Sequence, residues 1–155
     1  PKVLIFDEPF SGFDPINAEL LKQEIIQLKN NGATVLFSTH NMASVEEICD
    51  SITLLNKSKC ILSGRVSDIK EQFKENTFLI KFKGSVESLK HLPIVIKESE
   101  TKDNITILKM TLDKEIKAND ILSQIIQTVD IISFEETLPS MNNIFIKVIE
   151  ANNNA

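Results

Sequence analysis

Tryptophan and tyrosine are both missing from the 155 residues, so stacking against a base would fall to phenylalanine. Glycine is scarce: Gly12, Gly32, Gly64 and Gly84 are the only four, and they lie far apart. That scarcity excludes a Gly-rich loop able to cradle a phosphate with backbone amides, and no G-x-x-x-x-G-K-[ST] run occurs. Cysteine is limited to Cys49 and Cys60, and histidine to His40 and His91. None of these spacings suits a structural zinc site. Without a secretory signal pattern, the thiols read as reduced cysteines of a cytosolic core. No apolar run approaches the roughly 20 residues needed to cross a bilayer. Positive charge is in deficit, with a net charge of −5. Nucleic-acid-binding domains show a basic face, so such a footprint is not expected. The chain opens at Pro1 inside a strand pattern rather than at a methionine, which reads as truncation.

What is present is an ordinary globular composition, 42% hydrophobic and 25% charged. The length allows one large domain or two small ones. The chemistry concentrates in the first forty residues. Val3-Leu4-Ile5-Phe6 reads as a buried strand that ends on two adjacent carboxylates, Asp7 and Glu8. Asp14-Pro15 is a helix start, an acidic cap followed by proline at the first helical position. Ala18, Leu21, Ile25 and Leu28 recur at helical spacing, and Gly32 closes the helix. A second strand, Thr34 to Ser38, runs up to Thr39-His40, completing a strand–helix–strand unit with a right-handed crossover. Open α/β folds place ligands at the C-terminal end of such strands. Two acids and a histidine converging there suit a metal-bound polyphosphate and an attacking water.

Taken in order, Val3 to Asp7, Glu8, Ser11-Gly12-Phe13-Asp14 and His40 resemble the second half of the nucleotide-binding domain of ATP-binding-cassette (ABC) transporters. Val3 to Asp7 match the Walker B strand, Glu8 the catalytic glutamate, residues 11–14 the D-loop and His40 the switch histidine. The chain departs from the family pattern in having neither the phosphate loop nor a Leu-Ser-Gly-Gly-Gln-type signature. The resemblance implies that Asp7 holds Mg2+ through a bound water, since magnesium keeps several of its waters. It makes Glu8 the base, or the group that orients the attacking water. His40 would hydrogen-bond the γ-phosphate, with Ser38 and Thr39 as candidates for positioning it. Ser11 and Asp14 join the nucleotide-binding set, Asp14 also capping its helix and contacting the opposite subunit. Two neighbouring acids disfavour a second negative charge, so a raised pKa is expected for Glu8 when magnesium is absent.

Further along, Asn41 caps a helix whose Val45, Ile48 and Cys49 face inward. Residues 52–55 and 59–63 flank the polar turn Asn56-Lys57-Ser58 as a hairpin, and Ser67 to Phe73 is a short helix. The second half follows the order strand 77–83, helix 85–91, strands 94–98 and 105–112, helix 117–129, strand 131–136 and closing helix 140–150. Ile121, Leu122, Ile125 and Val129 share one side of the fifth element. The order is that of a split-βαβ, ferredoxin-like sandwich. It resembles the accessory domain appended to some bacterial ABC ATPases, whose ending looks like Leu138-Pro139-Ser140-Met141 followed by Ile144-Phe145.

The expected fold is therefore α/β: a partial P-loop NTPase sheet of ABC type followed by an α+β βαββαβ domain. Residues 1–76 are expected to be the C-terminal portion of the nucleotide-binding domain, 77–150 the accessory domain and 151–155 a disordered tail. The function implied is that of a transport-coupled ATPase subunit using ATP and Mg2+. Its partners would be a second ATPase subunit and a transmembrane permease, with no nucleic acid, placing it in the cytoplasm at the inner face of the membrane. This portion alone is expected to be inactive. Without the phosphate-loop strand, Val35 to Phe37 would present an open hydrophobic edge that invites pairing. The alternatives are a non-catalytic dimerisation or regulatory module centred on residues 77–150, or an ABC-type ATPase without a permease.

Overall fold

The computed structural model describes residues 2–153. The chain divides into two compact units, one formed by residues up to 69 together with those from 140 onward, the other by residues 70–139.

In the first unit, β1 (Val3–Asp7) and β2 (Thr34–Ser38) run parallel, with Val3 opposite Thr34 and Asp7 opposite Ser38. Between them α1 (Pro15–Asn30) starts where the sequence says it should. Asp14 accepts the amides of Ile16 and Asn17 at 3.0 and 3.1 Å, and Pro15 needs no partner for a missing N–H. Gly32, at φ +88°, supplies the left-handed residue that turns the chain toward β2. Asn41 caps α2 (Met42–Ile48) through the amides of Ala43 and Ser44. A hairpin follows, β3 (Ser51–Asn56) and β4 (Lys59–Arg65), closed by Lys57-Ser58. Both turn residues have positive φ, 47° and 61°, as a two-residue type I′ turn requires. The N-terminal segment of the first unit ends within α3 (Val66–Gln72).

The second unit holds β5 (Thr77–Lys83), β6 (Val95–Lys102), β7 (Ile105–Thr111), α4 (Ala118–Thr128) and β8 (Asp130–Thr137). The strands form one sheet in the order β6-β7-β5-β8, every neighbour antiparallel. Phe78, Ile80 and Phe82 alternate inward from β5 and meet Leu108, Met110, Ile121 and Ile125 in a closed core. Phe78 also stacks on Phe134, with ring centroids 5.1 Å apart. The closing helix α5 (Met141–Asn153) belongs to the first unit, packing against α2 and β4 through Met141, Ile144 and Val148.

Four expectations differ from this picture. The helix expected at 85–91 is one 3-10 turn, Val86–Leu89. Pro93 disfavours helical backbone at Leu92, so the element cannot readily extend toward it. Strand β6 runs on to Lys102 rather than stopping at 98, because every residue of this edge strand is exposed and its pattern carries no alternation to read. The division falls at residues 69 and 139 rather than after 76, and the final helix returns to the first unit. Residues 151–153, expected in a disordered tail, are the last turn of α5; residues 154 and 155, like Pro1, lie outside the described residues.

The parallel pair β1–β2 is incompletely covered. Its sheet holds only these two strands among the described residues. Val3, Ile5 and Leu36, which share one face, are 58%, 73% and 61% exposed. Parallel strands are ordinarily buried on both faces, so this is an unusual surface for a finished sheet. Cys49 is half-buried and its thiol is pushed up by burial and by Asp50, whereas Cys60 is exposed rather than part of a core.

Candidate active site

The parallel register sets the site. Because Asp7 and Ser38 are direct cross-strand partners, the two strands end level and release their chains side by side. The Ser38 hydroxyl donates to Asp7 Oδ1. The Glu8 amide, one residue on, donates to the Ser38 carbonyl at 3.1 Å and lies 3.2 Å from the Ser38 hydroxyl. Glu8 itself has φ +43°, a left-handed backbone that a non-glycine residue adopts only when its surroundings hold it there. The Ser11 amide closes the following turn onto the Glu8 carbonyl at 3.1 Å. Phe10 in that turn packs edge-on against Phe37, centroids 5.8 Å apart.

This backbone turns the Glu8 carboxylate to the end of β2. Its Oε1 lies 2.7 Å from His40 Nδ1 and accepts the His40 amide at 3.0 Å. Its Oε2 accepts the Thr39 hydroxyl at 3.2 Å. The glutamate side chain is 35% exposed and the imidazole 85%, so Nε2 of His40 is open to a ligand. The expected raised pKa of Glu8 is not what the geometry produces. The hydrogen bond from His40 holds the carboxyl below the usual carboxylate range, partly opposed by desolvation and reinforced by the charge of His40 and by Thr39. Three donors, the His40 ring, the His40 amide and the Thr39 hydroxyl, sit on Glu8 and outweigh the neighbouring acid, while Asp7 turns to Ser38.

Asp7, Glu8 and His40 are thus brought to one place, and Ser11 joins them through its backbone. Asp14 is occupied with its own helix, binding Ile16, Asn17 and the Asn17 side-chain amide, which together hold its carboxyl below the ordinary value, the Asn17 backbone amide contributing most. Ser38 and Thr39, expected to position His40, turn their hydroxyls to the two carboxylates instead. The paired register of Asp7 and Ser38 is the signal that would have found this.

A hard divalent cation suits the oxygens here. Among the described residues no three His, Cys, Asp or Glu side chains converge as a metal cage. Magnesium needs none, being held by one or two carboxylates, waters and substrate phosphates. With the Ser38 hydroxyl on its Oδ1, Asp7 is the residue that could hold such a cation through a bound water.

Comparison with known proteins gives the family. The model of the ATP-binding protein DrrA1-3-like C-terminal domain matches residues 64–149. An uncharacterized ABC transporter ATP-binding protein of Alkalihalophilus pseudofirmus is 36% identical over 149 residues, 96% of this chain and 55% of the relative. The uncharacterized ABC transporter ATP-binding protein YhaQ of Bacillus subtilis is 36% identical over 151 residues, 97% of this chain and 50% of its own. A solved ATP-binding subunit of an ABC transporter is 38% identical, with 47% of this chain and 30% of that one covered at a TM-score of 0.44. The chain spans about half the length of the curated relatives it matches. It belongs to the ABC transporter ATP-binding proteins, and within them to the DrrA1-3-like group whose C-terminal domain it carries.

Proposed function

We infer that this chain is the C-terminal part of an ATP-hydrolysing ABC transporter subunit, contributing the half of the site that handles the attacking water. The observation that carries this reading is the Glu8 carboxylate held by His40 Nδ1 at 2.7 Å and by the His40 amide at 3.0 Å, at the C-terminal end of a parallel strand pair. Asp7 is the magnesium residue. When bound, the metal neutralises charge on the β- and γ-phosphates. Glu8, His40, Ser11 and Asp14 supply the remainder of the proposed site, Asp14 from the start of α1 and by contact with a second subunit.

The hydrogen bond from His40 that lowers the Glu8 pKa supports a role in orienting the water over one as general base. General bases work best with a pKa near the operating pH, and a depressed carboxylate is a poor proton acceptor. It remains a strong hydrogen-bond acceptor, so Glu8 orients the water, and His40, with its Nε2 side open, meets the γ-phosphate. Positioning and electrostatics supply most of the catalysis in phosphoryl transfer, so this is sufficient work for the pair.

The complete subunit works as a dimer coupled to a transmembrane permease, on the cytoplasmic side of the membrane. The relatives' names, ABC transporter ATP-binding proteins, support the coupling to a permease. The exposed apolar residues of β1 and β2 support a phosphate-binding half that would cover them. Alone, the chain lacks the glycine-loop amides and lysine that hold polyphosphate, so it neither binds ATP tightly nor hydrolyses it. Residues 70–139 are read as a ferredoxin-like accessory module; the strand order β6-β7-β5-β8 with antiparallel neighbours supports that, although a 3-10 turn stands where the first helix would.

The test is the ATPase rate of the complete subunit against Glu8→Gln. Hydrolysis that collapses while ATP binding persists is the expected outcome. Equal rates in the two proteins would reject the reading.

A further inference from the structure

We propose that Ser38 and Thr39 are positioning residues that divide the two adjacent carboxylates between them, Ser38 setting Asp7 toward the metal and Thr39 setting Glu8 toward the water. The proposal rests on the reading of the site given above.

The division follows from strand geometry. Ser38 is the last residue of β2 and Thr39 the first beyond it, so the two hydroxyls are aimed by different stretches of backbone. Ser38 shares its face and its register with Asp7 and gives its proton to Asp7 Oδ1. With that oxygen fixed, the carboxylate presents Oδ2 in one orientation. Ser38 also sits under the Glu8 amide, at 3.2 Å from the hydroxyl and 3.1 Å from the carbonyl, which helps keep Glu8 in its left-handed turn.

Thr39 lies beyond the strand end, where the chain turns toward α2. Its hydroxyl accepts the Asn41 amide at 3.1 Å. A hydroxyl has one proton to give, and with Asn41 donating, that proton goes to Glu8 Oε2 at 3.2 Å. The direction of the bond is thereby set by the backbone, and linked donors of this kind strengthen one another. His40 takes Oε1 and Thr39 takes Oε2, so the carboxylate is gripped on both oxygens and cannot rotate about its last bond without losing one. Removal of such supporting hydrogen bonds typically costs about 10–100-fold in metal affinity or activity.

The two hydroxyls therefore make separable contributions, which the complete subunit can report. Mn2+ binding in the presence of AMP-PNP, followed by electron paramagnetic resonance, reads the metal side. Steady-state kcat with ATP reads the water side. Ser38→Ala is expected to weaken Mn2+ binding by about tenfold, with Ser38→Thr restoring it. Thr39→Val is expected to lower kcat by about tenfold while Mn2+ binding persists, with Thr39→Ser restoring kcat. The hydroxyl-retaining variants separate loss of a bond from loss of fold. If Ser38→Ala and Thr39→Val move both readouts alike, or move neither, the division is wrong. Glu8→Gln run alongside separates the two levels. If it abolishes turnover while Thr39→Val is silent, the division alone fails. If Glu8→Gln turns over like wild type, the site reading fails and takes the proposal with it.

Discussion

At the residue scale the chemistry is governed by who donates to whom. Glu8 is acidic because His40 lies against it, so the two cannot be altered independently. Replacing His40 by Ala removes the largest cause of the lowered pKa, and Glu8 rises toward the ordinary carboxylate value. The acid limb of the pH profile of kcat/KM in the complete subunit is expected to move to higher pH in His40→Ala, on top of a lower plateau. A limb that stays in place would mean that Glu8 does not set it. Asp14 offers a similar argument for stability. Its folded pKa is depressed by the amides it caps, so its contribution is present above the unfolded carboxylate value of about 3.9 and is lost as pH falls through the folded value. Asp14→Asn keeps a capping oxygen but cannot titrate. Thermal melts of the variant are therefore expected to show a shallower loss of Tm below about pH 4 than wild type.

At the element scale, tight turns and caps dictate more than propensity does. Lys57 and Ser58 hold left-handed angles that L side chains resist, at a place where Asn-Gly is the preferred pair. The double substitution Lys57→Asn with Ser58→Gly is expected to raise stability by about 1 kcal/mol, seen as a higher urea midpoint at unchanged m. An unchanged midpoint would mean that the turn carries little strain. The same local logic explains what could be read from the sequence. Asp14-Pro15, Gly32 and Asn41 each mark a helix boundary by a specific hydrogen bond or backbone angle, and α1, β2 and α2 stand where those residues put them. Asp7, Glu8 and His40 converge because strand ends in parallel register must. Less local features were not legible. Whether residues 85–91 had room for an α-turn depended on Pro93, and whether α5 would close the second unit or return to the first depended on packing against α2 and β4. The direction of the Ser38 and Thr39 hydroxyls depended on cross-strand register rather than on chain order.

At the scale of the whole molecule the two units differ in how complete they are. Residues 70–139 close a core in which Ile80, Phe82, Leu108, Met110 and Ile125 are fully buried. Truncating Ile125 to Ala there is expected to cost about 2–5 kcal/mol. Two units with separate cores need not melt together, so calorimetry is expected to resolve two transitions, of which Ile125→Ala lowers one. The first unit presents the opposite case. Among the described residues no further strand pairs with β1 or β2, and the pair has an apolar face, with Ile5 73% and Leu36 61% exposed. Unpaired strand edges beside exposed apolar side chains recruit further chains, and nothing in β1 or β2 places a bulge or proline to deter them. The chain on its own is therefore expected to self-associate as concentration rises, measured as a mass increase by light scattering. Ile5→Lys with Leu36→Glu puts charge on the same face and is expected to return the protein to a monomer, with the transition of the second unit unchanged. A wild-type chain that stays monomeric at high concentration would show that this face is not adhesive, and would remove one support for the view that an upstream half normally covers it.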